Sequence, residues 1–146
     1  MAADRPHPVP DPVSAGFWEA AARGELAIQR CADCRRFQHP PQPTCRACGD
    51  GAVGFECVSG RARLWSWTVT HHNVLPGFAP AIPYVNITVE LVEQPGLFLL
   101  SDLIGRADSV KLRLGTPLRV VFPPVADGEP VLPQFEAAAE SGGDTP

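Results

Sequence analysis

Four cysteines constrain this chain more than any other feature. They stand as Cys31-Ala-Asp-Cys34 and Cys45-Arg-Ala-Cys48, two C-x-x-C turns separated by ten residues. Each turn is a knuckle that sets two thiolates on one side, and two facing knuckles complete the tetrahedron of sulfur that zinc prefers. Backbone amides of such turns point at the sulfurs and spread their charge. Gly49 follows the second knuckle, where a left-handed backbone is often needed; Arg35 stands at the equivalent place after the first, a small departure. Arg30, Arg35, Arg36 and Arg46 face the single Asp33 in this stretch, a surplus that offsets the double negative charge of a metal tetrathiolate. One structural zinc per chain is the expectation. Rubredoxin-type iron uses the same four thiolates and stays open as an alternative. Two disulfides would need an oxidising compartment, of which there is no sign, and a redox C-x-x-C would need a thioredoxin-like context that is missing. Four cysteines leave no open position for substrate, so the metal is expected not to be catalytic. Cys57 lies outside the pattern and reads as a buried structural cysteine rather than a nucleophile.

The remainder of the chain points to short strands. Its 146 residues suit one ordinary domain or two very small ones. Seventeen prolines and thirteen glycines disfavour long helices. No apolar run is long enough to span a membrane. Met1 to Pro12 is proline-rich without an apolar stretch, so a secretory signal is not expected and a cytoplasmic location is. Lys111 is the only lysine beside eleven arginines, a bias that, with the many alanines and prolines, suggests a GC-rich bacterial genome. The formal charge of −4 is placed unevenly: Asp127, Glu129, Glu136, Glu140 and Asp144 make the end acidic and leave the body nearly neutral. A nucleic-acid binder usually carries a strong basic surplus, so none is expected to bind.

The spacing predicts a flexible arm over 1–13 and a helical segment over 14–27. Ser14 is a candidate N-cap, Ala15 to Arg23 the helix, Phe17, Trp18 and Ala21 its apolar stripe, and Gly24 its stop. Nine residues are marginal as an isolated helix, so this one must lean on its own chain or a partner. The metal ribbon occupies 28–56. Over 57–136, five strands are expected at Arg61–His72, Tyr84–Val92, Leu97–Leu100, Pro117–Phe122 and Leu132–Phe135, closing a small barrel. Asn73 to Pro83 is a long hairpin loop, and Gly105 to Gly115 an irregular crossing. A disordered acidic tail is expected over 137–146.

Chemistry outside the cysteines is sparse. His71 and His72 end a strand at the mouth of the long loop and read more readily as a polar strand end than as catalytic groups. Asp102 and Asp108 have no evident carboxylate partner. No catalytic residue is assigned. Arg61 and Arg63 share a strand face and could meet a phosphate; Trp65 and Trp67 are placed on that same face, for packing or for stacking. Phe78, in Pro76-Gly77-Phe78-Ala79-Pro80, is a candidate anchor for a protein or acyl-chain contact, or a residue folded back on the barrel.

The order of features resembles a known family. It runs through Phe17-Trp18-Glu19-Ala20, Gly24-Glu25-Leu26, Ile28 to Cys34, His39-Pro40-Pro41, Cys45 to Gly49, Ser59-Gly60-Arg61, Leu114 to Leu118 and Leu132 to Phe135. Over roughly residues 14 to 136 this resembles the zinc-ribbon and OB-fold family called domain of unknown function thirty-five. The resemblance implies a mainly β fold: a short N-terminal helix, a rubredoxin-like zinc ribbon and a five-stranded OB-fold barrel. It also implies an accessory role in acyl-CoA metabolism, beside thiolase-superfamily enzymes. In actinobacterial sterol degradation such members bind a lipid-transfer-protein-like aldolase and an enoyl-CoA hydratase. The expectation is a non-catalytic subunit that supports retro-aldol cleavage of a β-hydroxyacyl-CoA, a steroid side-chain intermediate. The acyl-CoA would be held mainly by the partner. Phe17, Trp18 and Phe78 are the expected partner contacts, and Arg61 and Arg63 the expected acyl-CoA contacts. The alternatives are an acyl-CoA-binding bridge or shuttle between thiolase-type enzymes and, less favoured, a nucleic-acid-binding module.

Overall fold

Helix α1, Ala15–Ala22, comes first in the computed structural model, which describes residues 5–49, 51–105 and 111–138. Asp11 organises its entry rather than Ser14. Ser14 occupies the N-cap position, but its side chain caps no helix amide. Instead the Ser14 backbone N–H (2.7 Å) and hydroxyl (2.8 Å) both donate to Asp11 Oδ1. Those donors hold the Asp11 carboxyl below the usual carboxylate range. The expected stop holds: Gly24, at φ +75°, lets its N–H reach the Ala21 carbonyl and the Glu25 N–H reach that of Ala20. The helix buries Phe17, Ala20 and Ala21 and packs on two strands of the ribbon that follows, Ala27–Cys31 and Val53–Cys57.

The ribbon is β1 (Ala27–Cys31), β2 (Phe37–Gln38) and β3 (Val53–Cys57), antiparallel in the order β2-β1-β3. The barrel is β4 (Arg61–Thr70), β5 (Tyr84–Leu91), β6 (Phe98–Asp102), β7 (Pro117–Val121) and β8 (Gln134–Ala137), in the order β6-β5-β4-β7-β8. A parallel bridge between Leu103 and Phe135 brings the two ends of this sheet together. The Ile104 N–H donates to the Phe135 carbonyl at 2.7 Å beside it. That closure makes the OB-type barrel. β5 alternates cleanly, with Val85, Ile87, Val89 and Leu91 buried.

A β-bulge between Leu64 and Ser66 corrects one expectation. Before it, Ala62 and Leu64 point inward. After it, Trp67 lies opposite Ile87 and Val69 opposite Val85, on the face of those buried residues, where Val69 packs on the core and Trp67 stays 37% exposed. The extra residue reverses the alternation. Trp65 therefore faces outward with Arg61 and Arg63, while Trp67 turns to the other face. The last strand also begins two residues later than expected. Pro133 has no N–H for a ladder, and its carbonyl accepts the Ser101 hydroxyl at 2.7 Å. Ala137, assigned to the tail, completes β8. Residues 139–146 of the expected tail and 106–110 of the expected crossing lie outside the described residues.

Ribbon and barrel share one core. Phe17, Leu26, Ile28 and Phe37 join Leu64, Val89, Leu118 and Phe135 in a single apolar cluster. The two parts are also pinned by hydrogen bonds. The Gln94 side chain, in the β5–β6 turn, accepts the Phe37 N–H (2.9 Å) and donates to the Phe37 carbonyl (3.0 Å), imitating a strand neighbour of β2. No helix among the described residues is long and apolar enough to cross a membrane.

Candidate metal centre and the surfaces around it

The two knuckles converge on one point. The four Sγ atoms of Cys31, Cys34, Cys45 and Cys48 all lie within 4.8 Å of one another. Cys31 and Cys48 are 3.6 Å apart at sulfur, as are Cys34 and Cys45. A tetrahedral ion with sulfur at about 2.3 Å sets its sulfurs about 3.8 Å apart, so the cage fits one. The two turns are alike in their backbone. Arg35 takes the left-handed position at φ +63° and Gly49 takes it at φ +86°. Their N–H groups reach the carbonyls of Cys31 (3.1 Å) and Cys45 (3.0 Å).

Local donors and charge favour a bound cation. The Cys34 N–H points at Cys31 Sγ (3.5 Å) and the Ala47 N–H at Cys45 Sγ (3.3 Å). Backbone N–H groups of Cys48 and Ala47 draw the Cys45 thiol down to about 6. Its neighbour responds in the opposite sense: the facing Cys31 and Cys45 sulfurs push Cys48 up to about 12. Without a cation the four sulfurs cannot all carry charge. Gly51 seals the cage, since a Cβ there would sit 2.1 Å from Cys31 Sγ and 2.9 Å from Cys48 Sγ. Four thiolates, two of them buried, form a closed structural metal site. The arginine surplus is partly consumed nearby, because Arg30 and Arg35 both pair with Glu56.

Two supporting residues escaped sequence reasoning. Gln29 is 3% exposed on β1. Its amide donates to the Gln42 carbonyl (2.9 Å) and accepts the Gln42 N–H (2.8 Å), steering the chain toward the second knuckle. A glutamine between Ile28 and Arg30 offers no signal of burial. The other is His39, half-buried against the Phe17 ring at 5.5 Å. Its Nδ1 is buried without a hydrogen-bond partner among the described residues. Burial, with a smaller push from Arg46, lowers its pKa from 6.5 to about 4.

That shift has a sign. The unfolded chain binds this proton below pH 6.5 and the folded chain resists it until about 4. Stability is therefore unaffected above the unfolded value, falls as pH drops through it, and the loss approaches on the order of 3 kcal/mol near the folded value. The drop in urea midpoint from pH 7 to pH 5 is expected to be smaller in His39→Gln than in the wild type. Parallel losses in the two proteins would show that His39 is not this buried base.

The other candidate residues are scattered. Phe17 is 8% exposed and belongs to the core; Trp18, edge-on to it at 4.9 Å, is the half-buried outward residue of the pair. Phe78 is half-buried, with the Arg5 guanidinium over its ring at 4.7 Å and Tyr84 at 5.9 Å. The long loop instead exposes Val74 (82%) and Leu75 (52%). Arg61 and Arg63 are exposed on β4, and their side chains have no partner among the described residues. His71 and His72 lie exposed beyond the end of β4. Asp102 accepts from Asn86 Nδ2 at 2.7 Å, and its carboxyl is raised by burial; Asp108 lies outside the described residues. Cys57 is exposed, not buried as expected, because β3 ends there on the open side of the ribbon. Its thiol donates to Glu25 at 3.3 Å, and that carboxylate raises its pKa. Among the described residues no histidine is hydrogen-bonded to a hydroxyl or thiol; the carboxylates of Glu25 and Glu93 accept from Cys57 and Ser59.

Similarity to known proteins agrees with this anatomy. The family described as ChsH2, rubredoxin-like zinc ribbon domain, matches residues 18–54, and the ChsH2 C-terminal OB-fold domain matches residues 56–123. A solved structure described as an Ltp2-ChsH2(DUF35) aldolase superposes with a TM-score of 0.78 and 36% identity, covering 90% of this chain and 98% of that one. The chain belongs to the ChsH2 (DUF35) family. ChsH2-type sequence also occurs inside longer proteins. This chain is 38% identical over 134 residues to a probable enoyl-CoA hydratase alpha subunit of Thermomonospora curvata. It is 34% identical over 109 residues to a 3-oxo-4,17-pregnadiene-20-carboxyl-CoA hydratase alpha subunit of Mycobacterium tuberculosis. Those matches cover 92% and 75% of this chain, but the chain spans 40% and 33% of the two relatives' own lengths. A DUF35 protein of Sulfolobus solfataricus, 13% identical with a TM-score of 0.58 over 87% of this chain and 86% of that one, shares the fold.

Proposed function

We propose that this chain is a non-catalytic partner subunit of a thiolase-like aldolase. The observation that carries the reading is the fit to the ChsH2 chain of an Ltp2-ChsH2(DUF35) aldolase over 98% of that chain's length. The complex cleaves a β-hydroxyacyl-CoA by a retro-aldol step. A base removes the β-hydroxyl proton, the Cα–Cβ bond breaks, and the electron pair is held as a thioester enolate until Cα is protonated. No histidine of this chain is paired with a hydroxyl or thiol among the described residues, so we assign those groups to the aldolase. The substrate class we assign is a steroid side-chain thioester, supported by the name of the mycobacterial relative. An enoyl-CoA hydratase is the further partner, supported by both curated relatives. The ion in the four-cysteine cage is zinc, and cysteines that form no disulfide suit the reducing cytoplasm. Trp18 and the Val74–Leu75 loop tip are the partner contacts we favour. Arg61 and Arg63, exposed and with no side-chain partner among the described residues, sustain the second reading, an acyl-CoA-binding bridge that touches the phosphates itself.

The test is co-expression with an Ltp2-type aldolase of the same host. Expected are a stable complex, acyl-CoA release from a β-hydroxyacyl-CoA by the complex, and none by this chain alone. Alanine at Arg61 and Arg63 separates the readings: an unchanged KM leaves CoA to the aldolase, whereas a raised KM with kcat intact gives the bridge a share of it.

A further inference from the structure

The N-terminal arm is tied down at both ends. Residues 5–11 belong to no helix or strand. At one end the Asp11 N–H donates to the Ser14 hydroxyl (3.1 Å) and the Ala15 N–H to the Asp11 carbonyl (2.9 Å), so the arm leaves α1 in a fixed direction. At the other end Arg5 grips the barrel. Its Nε–H donates to the Gly77 carbonyl at 2.9 Å. Its guanidinium lies over the Phe78 ring at 4.7 Å. Its charge also reaches Asp102 at the end of β6: burial raises that carboxyl, against the pull of the Asn86 amide and of Arg5.

Between the two ends the arm touches little. Val9 is 89% exposed, and a cavity of about 200 Å³ opens between Pro6 and His7 on one side and Val125, Pro130 and Leu132 on the other. The stiffness of the span comes from its sequence. Pro6, Pro8, Pro10 and Pro12 fall at every second position. Each fixes its own φ and biases the residue before it toward extended backbone. Little conformational freedom is left to remove, so one side chain at the far end can fasten the whole span.

The loop that Arg5 grips is the β4–β5 connection, Asn73 to Pro83. Its own bonds are local. Asn73 Nδ2 donates to the Tyr84 hydroxyl (2.8 Å), the Leu75 N–H to Asn73 Oδ1 (2.9 Å), and the Ala81 N–H to the Phe78 carbonyl (2.9 Å). Between these bonds the chain turns at Gly77, at φ +81°. Among the described residues, the Arg5 hydrogen bond is the one that reaches this turn from elsewhere in the chain. It falls two residues beyond Leu75, and Val74 and Leu75 stay exposed. The arm therefore fixes the loop without covering its apolar tip.

We propose that the proline-rich arm is a strap, latched by Arg5, that holds the Asn73–Pro83 loop in the conformation the aldolase meets. The inference rests on the aldolase-subunit reading, with Val74 and Leu75 as the contact. Arg5 is a positioning residue that acts through the loop. Fastening the loop before docking spares the complex the entropy of ordering it.

The experiment makes Arg5→Ala, Leu75→Ser and the double variant in the full chain. Amide exchange is followed at Leu75 and Ala81 in the free protein, and affinity is measured for an Ltp2-type aldolase. Metal content and thermal midpoint should stay near wild type, because both substituted residues are exposed. In Arg5→Ala the two amides should exchange roughly tenfold faster, the scale of one lost hydrogen bond, and affinity should fall by a similar factor. In the Leu75→Ser background Arg5→Ala should cost little more, since both changes act on one contact. Unchanged exchange in Arg5→Ala overturns the latch. Faster exchange with unchanged affinity overturns its part in docking. An equal loss of affinity with and without Leu75 makes Arg5 itself the contact and overturns the proposal. Each of these results leaves the subunit reading standing, because a complex forms; no complex with wild type sinks both.

Discussion

Chelation at neutral pH, or Cys31→Ser, is expected to unfold the ribbon and to weaken the barrel with it. Free energies of zinc binding to finger peptides reach about 10–16 kcal/mol, while whole domains are stable by about 5–15 kcal/mol. The ribbon has little else to hold it. β2 has two residues, and the loop from Pro40 to Gly49 is fixed by the cage and by Gln29 and Gln38. The effect should not stop at the ribbon, because Ile28 and Phe37 sit in the same cluster as the barrel's Val89 and Phe135. Gly51→Ala is the milder version of the same experiment: its Cβ would press on Cys31 Sγ and lower metal affinity without removing a ligand. Cys57→Ser, outside the cage, should change neither quantity. Elemental analysis and circular dichroism on protein purified without chelator check the set. Full structure in Cys31→Ser, or wild-type protein without zinc or iron, would contradict it.

Phe135→Ala should cost about 3–5 kcal/mol, the range for a large aromatic removed from a closed core. Phe135 is 0% exposed. It sits where the sheet closes, opposite Val120 on β7 and bridged to Leu103 beyond β6. Its loss leaves a cavity at the seam, so β6 and β8 lose shared packing together. Urea unfolding read by intrinsic fluorescence gives the number. A loss below about 1 kcal/mol would mean that the barrel closes by other contacts.

Much of this fold is written locally. β5 is legible because Val85, Ile87, Val89 and Leu91 alternate with polar residues and both their faces are decided. The metal cage is legible because four cysteines at fixed spacing have few other uses, and Arg35 shows the left-handed turn to be a property of the knuckle rather than of glycine. The bulge at Trp65 is not legible: Trp65 and Trp67 continue the alternation in sequence, and only the register against Thr88 and Ile87 reveals the extra residue. Phe17 and Trp18 are adjacent aromatics on a short helix, and which of them is core depends on Ile28, Phe37 and the barrel beneath. The burial of Gln29 and His39 is equally non-local, created by a loop that returns over β1.

The most direct test of the proposed role as a non-catalytic aldolase subunit is a turnover measurement on purified components. The aldolase alone, this chain alone and the two together are given the same β-hydroxyacyl-CoA, and acyl-CoA release is followed. Turnover that needs both chains, with this chain alone silent, is the expected result. Release by this chain alone, or by the aldolase at the same rate and solubility without it, would contradict the proposal.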